Sequence, residues 1–170
     1  MASYVLMAEW SRAMIAQQPG LAVAALVLGG VSLVLPAVFF SADDLGLGTS
    51  KLAFRILGGF ALGAVLLLPA AVRSSAPLLP AGLAVAAVVV SIGEEIAFRG
   101  ALYAALDQLG GAPLAIAGST LLWTVAHELS HPPEFLLAVA AAGLLLALWR
   151  WACKDLVAPI LGHVIADLML

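Results

Sequence analysis

Hydrophobic positions along this chain fall in long, nearly unbroken runs, not at the three-and-four spacing of a helix that is half exposed to water. The runs at 21–40, 52–72, 78–98, 113–130, 134–149 and 156–170 meet or approach the roughly 20 apolar residues that carry a helix across a bilayer. They predict an all-α, polytopic transmembrane helix bundle of about six spans. Breaks rich in Gly, Pro, Ser or charge separate the runs at 41-SADDLGLGTSK-51, 73-RSSAP-77, 110-GGAP-113, 130-SHPPE-134 and 150-RWACKD-155, and they read as short turns between antiparallel helices. The first twenty residues, 1-MASYVLMAEWSRAMIAQQPG-20, have another pattern. Met7, Trp10 and Met14 recur at helical spacing opposite Glu9, Arg12 and Gln17, which predicts an N-terminal interfacial helix over 1–20 ended by Pro19-Gly20. Glu9 and Arg12 also fall where a signal peptide would carry its apolar stretch, so the segment reads as retained.

Composition narrows the partners. Of 170 residues 64% are hydrophobic and 10% charged, and the net charge of −3 comes from 7 basic and 10 acidic residues without a basic run. Membrane lipid is the expected surrounding and nucleic acid is not an expected partner. The length and short loops predict a single membrane domain over 1–170. Cys153, alone, forms no intrachain disulfide. Alternating spans place Lys51, Arg150 and Lys154 on one side and Arg12 and Arg73 on the other, a one-residue bias towards a cytoplasmic 41–51 loop. Gly59 and Gly63, in 59-GFALG-63, let helix backbones approach closely in lipid.

Against this apolar background seven ionisable residues stand in or at the ends of predicted helices: Glu94, Glu95, Arg99, His127, Glu128, His163 and Asp167. Each charge at mid-membrane costs about 2.5–3.5 kcal/mol or more, so such groups face the bundle interior, pair, and serve a function. Glu95 and Arg99 are four apart and share a helix face as an ion pair, leaving Glu94, about 100° round the helix, free for other work. The helix carrying Glu94 continues through 101-ALYAALDQLG-110 to the Gly110–Pro113 turn. Glu94 lies sixteen residues before Gly110 and His127 fourteen after Pro113, so at 1.5 Å per residue both sit roughly 21–24 Å from the same turn. They can meet inside the bilayer as a water-activating carboxylate and imidazole. The last run adds 163-HVIAD-167, with His163 and Asp167 on one face.

Glu94-Glu95-Ile-Ala-Phe-Arg99, Trp123-Thr-Val-Ala-His127 and His163-Val-Ile-Ala-Asp167 together resemble, in order and interval, the three motifs of the CPBP family of intramembrane glutamic endopeptidases. That family includes the type II CAAX prenyl proteases and bacteriocin-processing and immunity proteins. The resemblance covers 94–167 and implies an integral, multi-pass protease of a bacterial plasma membrane. It implies that Glu94 and His127 activate water, that Glu95, Arg99 and the aromatic Trp123 support the site, and that His163 and position 167 stabilise an oxyanion. The substrate it implies is a peptide or lipidated protein. The mechanism requires no cofactor, although Glu and His side chains are also competent to hold a divalent metal. The prenyl proteases have Asn where this chain has Asp167. An ionised Asp cannot donate to an oxyanion, so Asp167 is protonated, orients His163, or marks a branch with other chemistry.

Two other readings stand beside this one. His127-Glu128-Leu-Ser-His131 matches HExxH, in which two histidines hold zinc and the Glu is the base; Asp167 or His163 would then be the third ligand. Pro132 and Pro133 follow at once and disfavour helix at His131. A non-catalytic membrane scaffold, an immunity protein or a proton-coupled carrier using Glu94 is the other class, although the inverted repeats of a carrier are not evident.

Overall fold

The computed structural model describes residues 1–18, 20–68 and 79–169, and among these every regular element is helical. In chain order they are α1 (Ala2–Ala16), α2 (Ala22–Ser32), a 3-10 turn (Leu35–Phe39), α3 (Leu52–Leu66), α4 (Ala81–Glu95), a π-helical segment (Ile96–Leu102), α5 (Tyr103–Ala126), α6 (Pro133–Cys153) and α7 (Val157–Met169). Ala22–Phe39, Ala81–Ala126 and Pro133–Cys153 are long and apolar enough to cross a membrane, and Leu52–Leu66 and Val157–Met169 are shorter apolar helices. The chain is thus an all-α membrane protein. Within the 46-residue stretch Ala81–Ala126 the backbone leaves helical geometry at Gly110 and Gly111, the latter at φ 72°. Glycine is the residue that accepts that conformation without strain. The stretch is therefore two arms, and counting them separately restores the six apolar helices in their expected order. The break expected at 73–77, the end of the 52–72 run, and Pro19 lie outside the described residues.

Local chemistry explains where elements stop. Pro36 has no N–H to give the Ser32 carbonyl, and α2 ends there in the 3-10 turn. The freed Ser32 carbonyl accepts a hydrogen bond from the Tyr4 hydroxyl at 2.8 Å, which ties α1 to α2. Pro132 precedes α6 in extended backbone, and Lys154 ends that helix at φ 51°. Asp155 then caps α7, its carboxylate accepting from the Val157 and Ala158 amides at 2.9 and 3.1 Å. Arg55 pairs with the same carboxylate at 3.5 Å and also donates to the Gly48 carbonyl. Nearby, in the 41–51 loop, the Ser41 hydroxyl and amide hold the Asp44 carboxyl below its usual range.

Packing runs α1 on α2, α2 on α4, α4 on α7, α7 on α3, and α5 on both α6 and the π-helical segment. The main core, Val5, Leu33, Ala97, Phe98, Leu102, Trp123, Ala126 and Val139, gathers round that segment. Small residues set the closest approaches. Gly59 and Gly63 lie against Leu161 and Ile165 of α7, and Gly30 lies against the α4 backbone at Gly93.

A Cβ on Gly93 would overlap the Gly30 carbonyl oxygen, which is backbone and cannot swing away. Gly93→Ala is expected to destabilise the fold by about 1–3 kcal/mol or more, seen as a lower thermal unfolding midpoint in detergent. Gly82→Ala, on the same helix but with its nearest contact at 3.5 Å, is the control and is expected to leave the midpoint unchanged.

Candidate active site

The π-helical segment follows Glu95 directly and contains Arg99. Its widened turn weakens the regular backbone ladder, and the Arg99 carbonyl accepts from Arg150 Nε of α6 at 3.2 Å. Arg150 also donates to the Asp44 carbonyl at 2.6 Å and lies over the Tyr103 ring, with 5.2 Å from Cζ to the centroid. The segment is thereby clamped from outside while its inner face carries the charged cluster.

Glu94 and Glu95 are both buried, at 2% and 0% exposure, and they diverge round the helix. Glu95 Oε1 accepts from Arg99 Nη1 at 2.9 Å and meets His163 Nδ1 at 2.9 Å. The expected Glu95–Arg99 pair is therefore present and extends to α7. His163 Nε2 lies 3.5 Å from Asp167 Oδ2, and Ser91 Oγ donates to that same oxygen at 2.7 Å. Both ring nitrogens of His163 thus face carboxylate oxygens, which only accept.

Glu94 has a different set of partners. Oε2 accepts from Trp123 Nε1 at 2.9 Å and lies 3.6 Å from His127 Nε2; Oε1 accepts from Arg12 Nη2 at 2.7 Å. The two arms of Ala81–Ala126 therefore bring Glu94 and His127 together, as equal depth from the turn required. The His127 Nδ1 faces the Trp123 carbonyl at 2.8 Å, and a carbonyl can only accept, so Nδ1 carries a proton; in the neutral ring Nε2 then presents its lone pair to the site. Trp123 joins the two halves: its N–H serves Glu94 and its ring takes the Arg99 guanidinium at 4.1 Å from the centroid. That stacking faces a guanidinium whose Nε and Nη2 have no hydrogen-bond partner among the described residues.

The HExxH residues do not share a helix. α5 ends at Ala126, His127 to Ser130 form a turn, Glu128 is exposed, and His131 sits in the bend before Pro132. The His127 and His131 rings are 5.4 Å apart, His131 Nδ1 bonds Ser130 Oγ at 3.0 Å, and partial burial and then His127 hold the His131 imidazole below its ordinary range. Among the described residues no three His, Cys, Asp or Glu side chains are grouped to hold one metal ion.

Sequence reasoning missed three participants: Glu9, Arg12 and Ser91. The polar side of α1, not its methionine side, faces the bundle: Glu9 is 2% exposed whereas Met7 and Met14 are 62% exposed. The available signal was the Glu9–Arg12 pair itself, an ion pair three residues apart in an otherwise uncharged helix.

Residues 76–169, more than half of the chain, match the family model described as type II CAAX prenyl endopeptidase Rce1-like. No curated protein and no solved structure matches the chain.

Removing one member of a fully buried ion pair strands the other charge, at about 3–5 kcal/mol. Arg99→Met is expected to cost that much in chemical unfolding in detergent, and Glu95→Gln added to it is expected to recover part of the loss. Equal stability of Arg99→Met and wild type would show that the pair contributes nothing to the fold.

Proposed function

Because this chain belongs to the Rce1-like family of type II CAAX prenyl endopeptidases, we propose that it is a glutamic-type endopeptidase that hydrolyses a peptide bond with a water activated between Glu94 and His127. The reading makes it a multi-pass protein of a bacterial plasma membrane, acting on a peptide or lipidated protein presented from the lipid. One observation carries it. Glu94 Oε2 lies 3.6 Å from His127 Nε2, too far for a direct hydrogen bond, and with His127 neutral and protonated at Nδ1 both atoms are acceptors that one water can bridge.

A water held that way points its lone pairs away from both acceptors, towards an incoming carbonyl carbon. Glu94 takes one proton as the new C–O bond forms, and returns it to the leaving nitrogen as the C–N bond breaks. His163 stabilises the charge that develops on the carbonyl oxygen. Its Nε2 serves this role, since the 3.5 Å contact with Asp167 is at the limit of a hydrogen bond and yields to a better acceptor. Asp167, held by Ser91, orients the ring and does not itself donate to the oxyanion. Glu95 and Arg99 keep His163 and Trp123 in place. The scheme uses only side chains of this chain and calls for no cofactor.

Cleavage of a fluorogenic peptide panel, prenylated and plain, by purified protein in detergent tests the assignment. Glu94→Gln and His127→Ala are each expected to lower kcat by about 10²–10⁴-fold, the usual weight of a general base, while His131→Ala stays close to wild type. Undiminished cleavage by Glu94→Gln would sink the proposal. Loss in His131→Ala together with stoichiometric bound zinc would favour the HExxH reading instead, and the panel identifies whether the lipid is required.

A further inference from the structure

The family match begins at residue 76, yet a side chain from α1 touches the proposed base. Arg12 Nη2 donates to Glu94 Oε1 at 2.7 Å and is paired at the same nitrogen with Glu9 Oε2. Both oxygens of Glu94 are thereby assigned, Oε1 to Arg12 and Oε2 to Trp123. A carboxylate held at both ends cannot turn about its terminal bond, so Oε2 stays towards His127.

The rest of α1 is built to keep Arg12 there. Glycine at position 29 leaves room for the arginine stem: a Cβ would stand 2.7–2.8 Å from Arg12 Cβ, Cγ and Cδ. Trp10 Nε1 donates to the Val125 carbonyl at 3.3 Å, which fastens α1 to α5 two residues before His127. The Tyr4 hydroxyl fastens it to α2, and Val5 is fully buried in the core. Glu9, 2% exposed, has one oxygen on Arg12 and the other, Oε1, without a partner among the described residues. A carboxylate this buried with half its capacity unused is an expensive way to staple two helices. It is well suited to holding a guanidinium in one orientation.

We propose that Arg12 is a positioning residue for Glu94, held in turn by Glu9, so that α1 is a working part of the active site. The proposal rests on the reading of Glu94 as the water-activating base. Arg12 acts through Glu94: it fixes the plane of that carboxylate, so that one oxygen stays directed at His127. Its loss therefore lowers turnover and leaves substrate affinity alone.

Two readouts test it. In cleavage assays Arg12→Ala is expected to reduce kcat about 10–100-fold with KM within about twofold, the scale of one hydrogen bond to a charged group. Added guanidinium and the Arg12→Lys variant are each expected to restore part of the rate. The second readout needs no substrate: the indole N–H resonance of Trp123, bonded to Glu94 Oε2, in ¹⁵N-labelled protein in micelles, assigned through its disappearance in Trp123→Phe. It is expected to move in Arg12→Ala and to return towards its wild-type position in Arg12→Lys, while the Trp149 and Trp151 resonances stay put. If Arg12→Ala lowers the unfolding midpoint so far that it cannot be assayed, Arg12→Gln and Glu9→Gln are read in its place, with Arg12→Lys still the rescue. An unmoved Trp123 resonance, or unchanged kcat where Glu94→Gln is inactive, overturns the proposal. Retained cleavage by Glu94→Gln overturns the reading of Glu94 as base, and the resonance still decides whether Arg12 holds that carboxylate.

Discussion

Two adjacent carboxylates buried in an apolar helix bundle are the constraint round which this molecule is organised. Neither Glu94 nor Glu95 has access to bulk solvent, and an uncompensated charge in such surroundings is strongly unfavourable. Neighbouring side chains on a helix point about 100° apart, so the two cannot share a counterion. Glu95 draws on Arg99 in the π-helical segment and His163 of α7; Glu94 draws on Arg12 of α1 and on Trp123 and His127 of α5. Elements from both ends of the chain must converge on α4, and the glycines at 30, 59, 63 and 93 are what let the backbones come close enough.

This arrangement also separates two kinds of work. On the Glu95 side the direct partners, Arg99 and His163, are groups that carry positive charge when protonated and sit at 2.9 Å. On the Glu94 side Oε2 and His127 Nε2 face each other at 3.6 Å, too far for a direct hydrogen bond. Trp123 belongs to both, stacking on Arg99 and donating to Glu94, so the Glu95 side braces the Glu94 side through one indole.

Much of this was legible in the chain. Apolar runs are a direct record of burial in lipid, and they located the helices at 22–39, 81–109, 133–153 and 157–169 to within a few residues. Counting residues from the Gly110–Pro113 turn placed Glu94 and His127 together because a straight helix converts sequence distance into depth. The four-residue spacings of Glu95 with Arg99 and of His163 with Asp167 likewise translate directly into contacts. Azimuth was less legible. Which way α1 turns depends on its surroundings: an amphipathic helix beside water shows its charges outward, whereas beside hydrocarbon it shows its methionines and folds its charges in. The sequence sorts Glu9 and Arg12 onto the face opposite Met7 and Met14, as in the structure, without saying which face meets the bundle. Ser91 escaped notice because a single hydroxyl in a run of Val and Ala carries no periodic signal. The π-helical turn at 96–102 depends on a tertiary clamp, Arg150 on the Arg99 carbonyl, that no local pattern announces.

The position of Arg12 along the chain has a bearing on biosynthesis. It stands 82 residues ahead of Glu94, so a ribosome delivers the cation to the membrane long before the carboxylate that needs it. Glu95 leaves the tunnel with Arg99 one turn behind and enters lipid already neutralised. The hairpin of α4 and α5 then carries Glu94 and His127 in together. His163, 68 residues after Glu95, is the last partner to arrive. In that order Glu94 and Glu95 each follow or closely precede a cationic partner, and the contact of Glu95 with His163 closes only when the final helix docks.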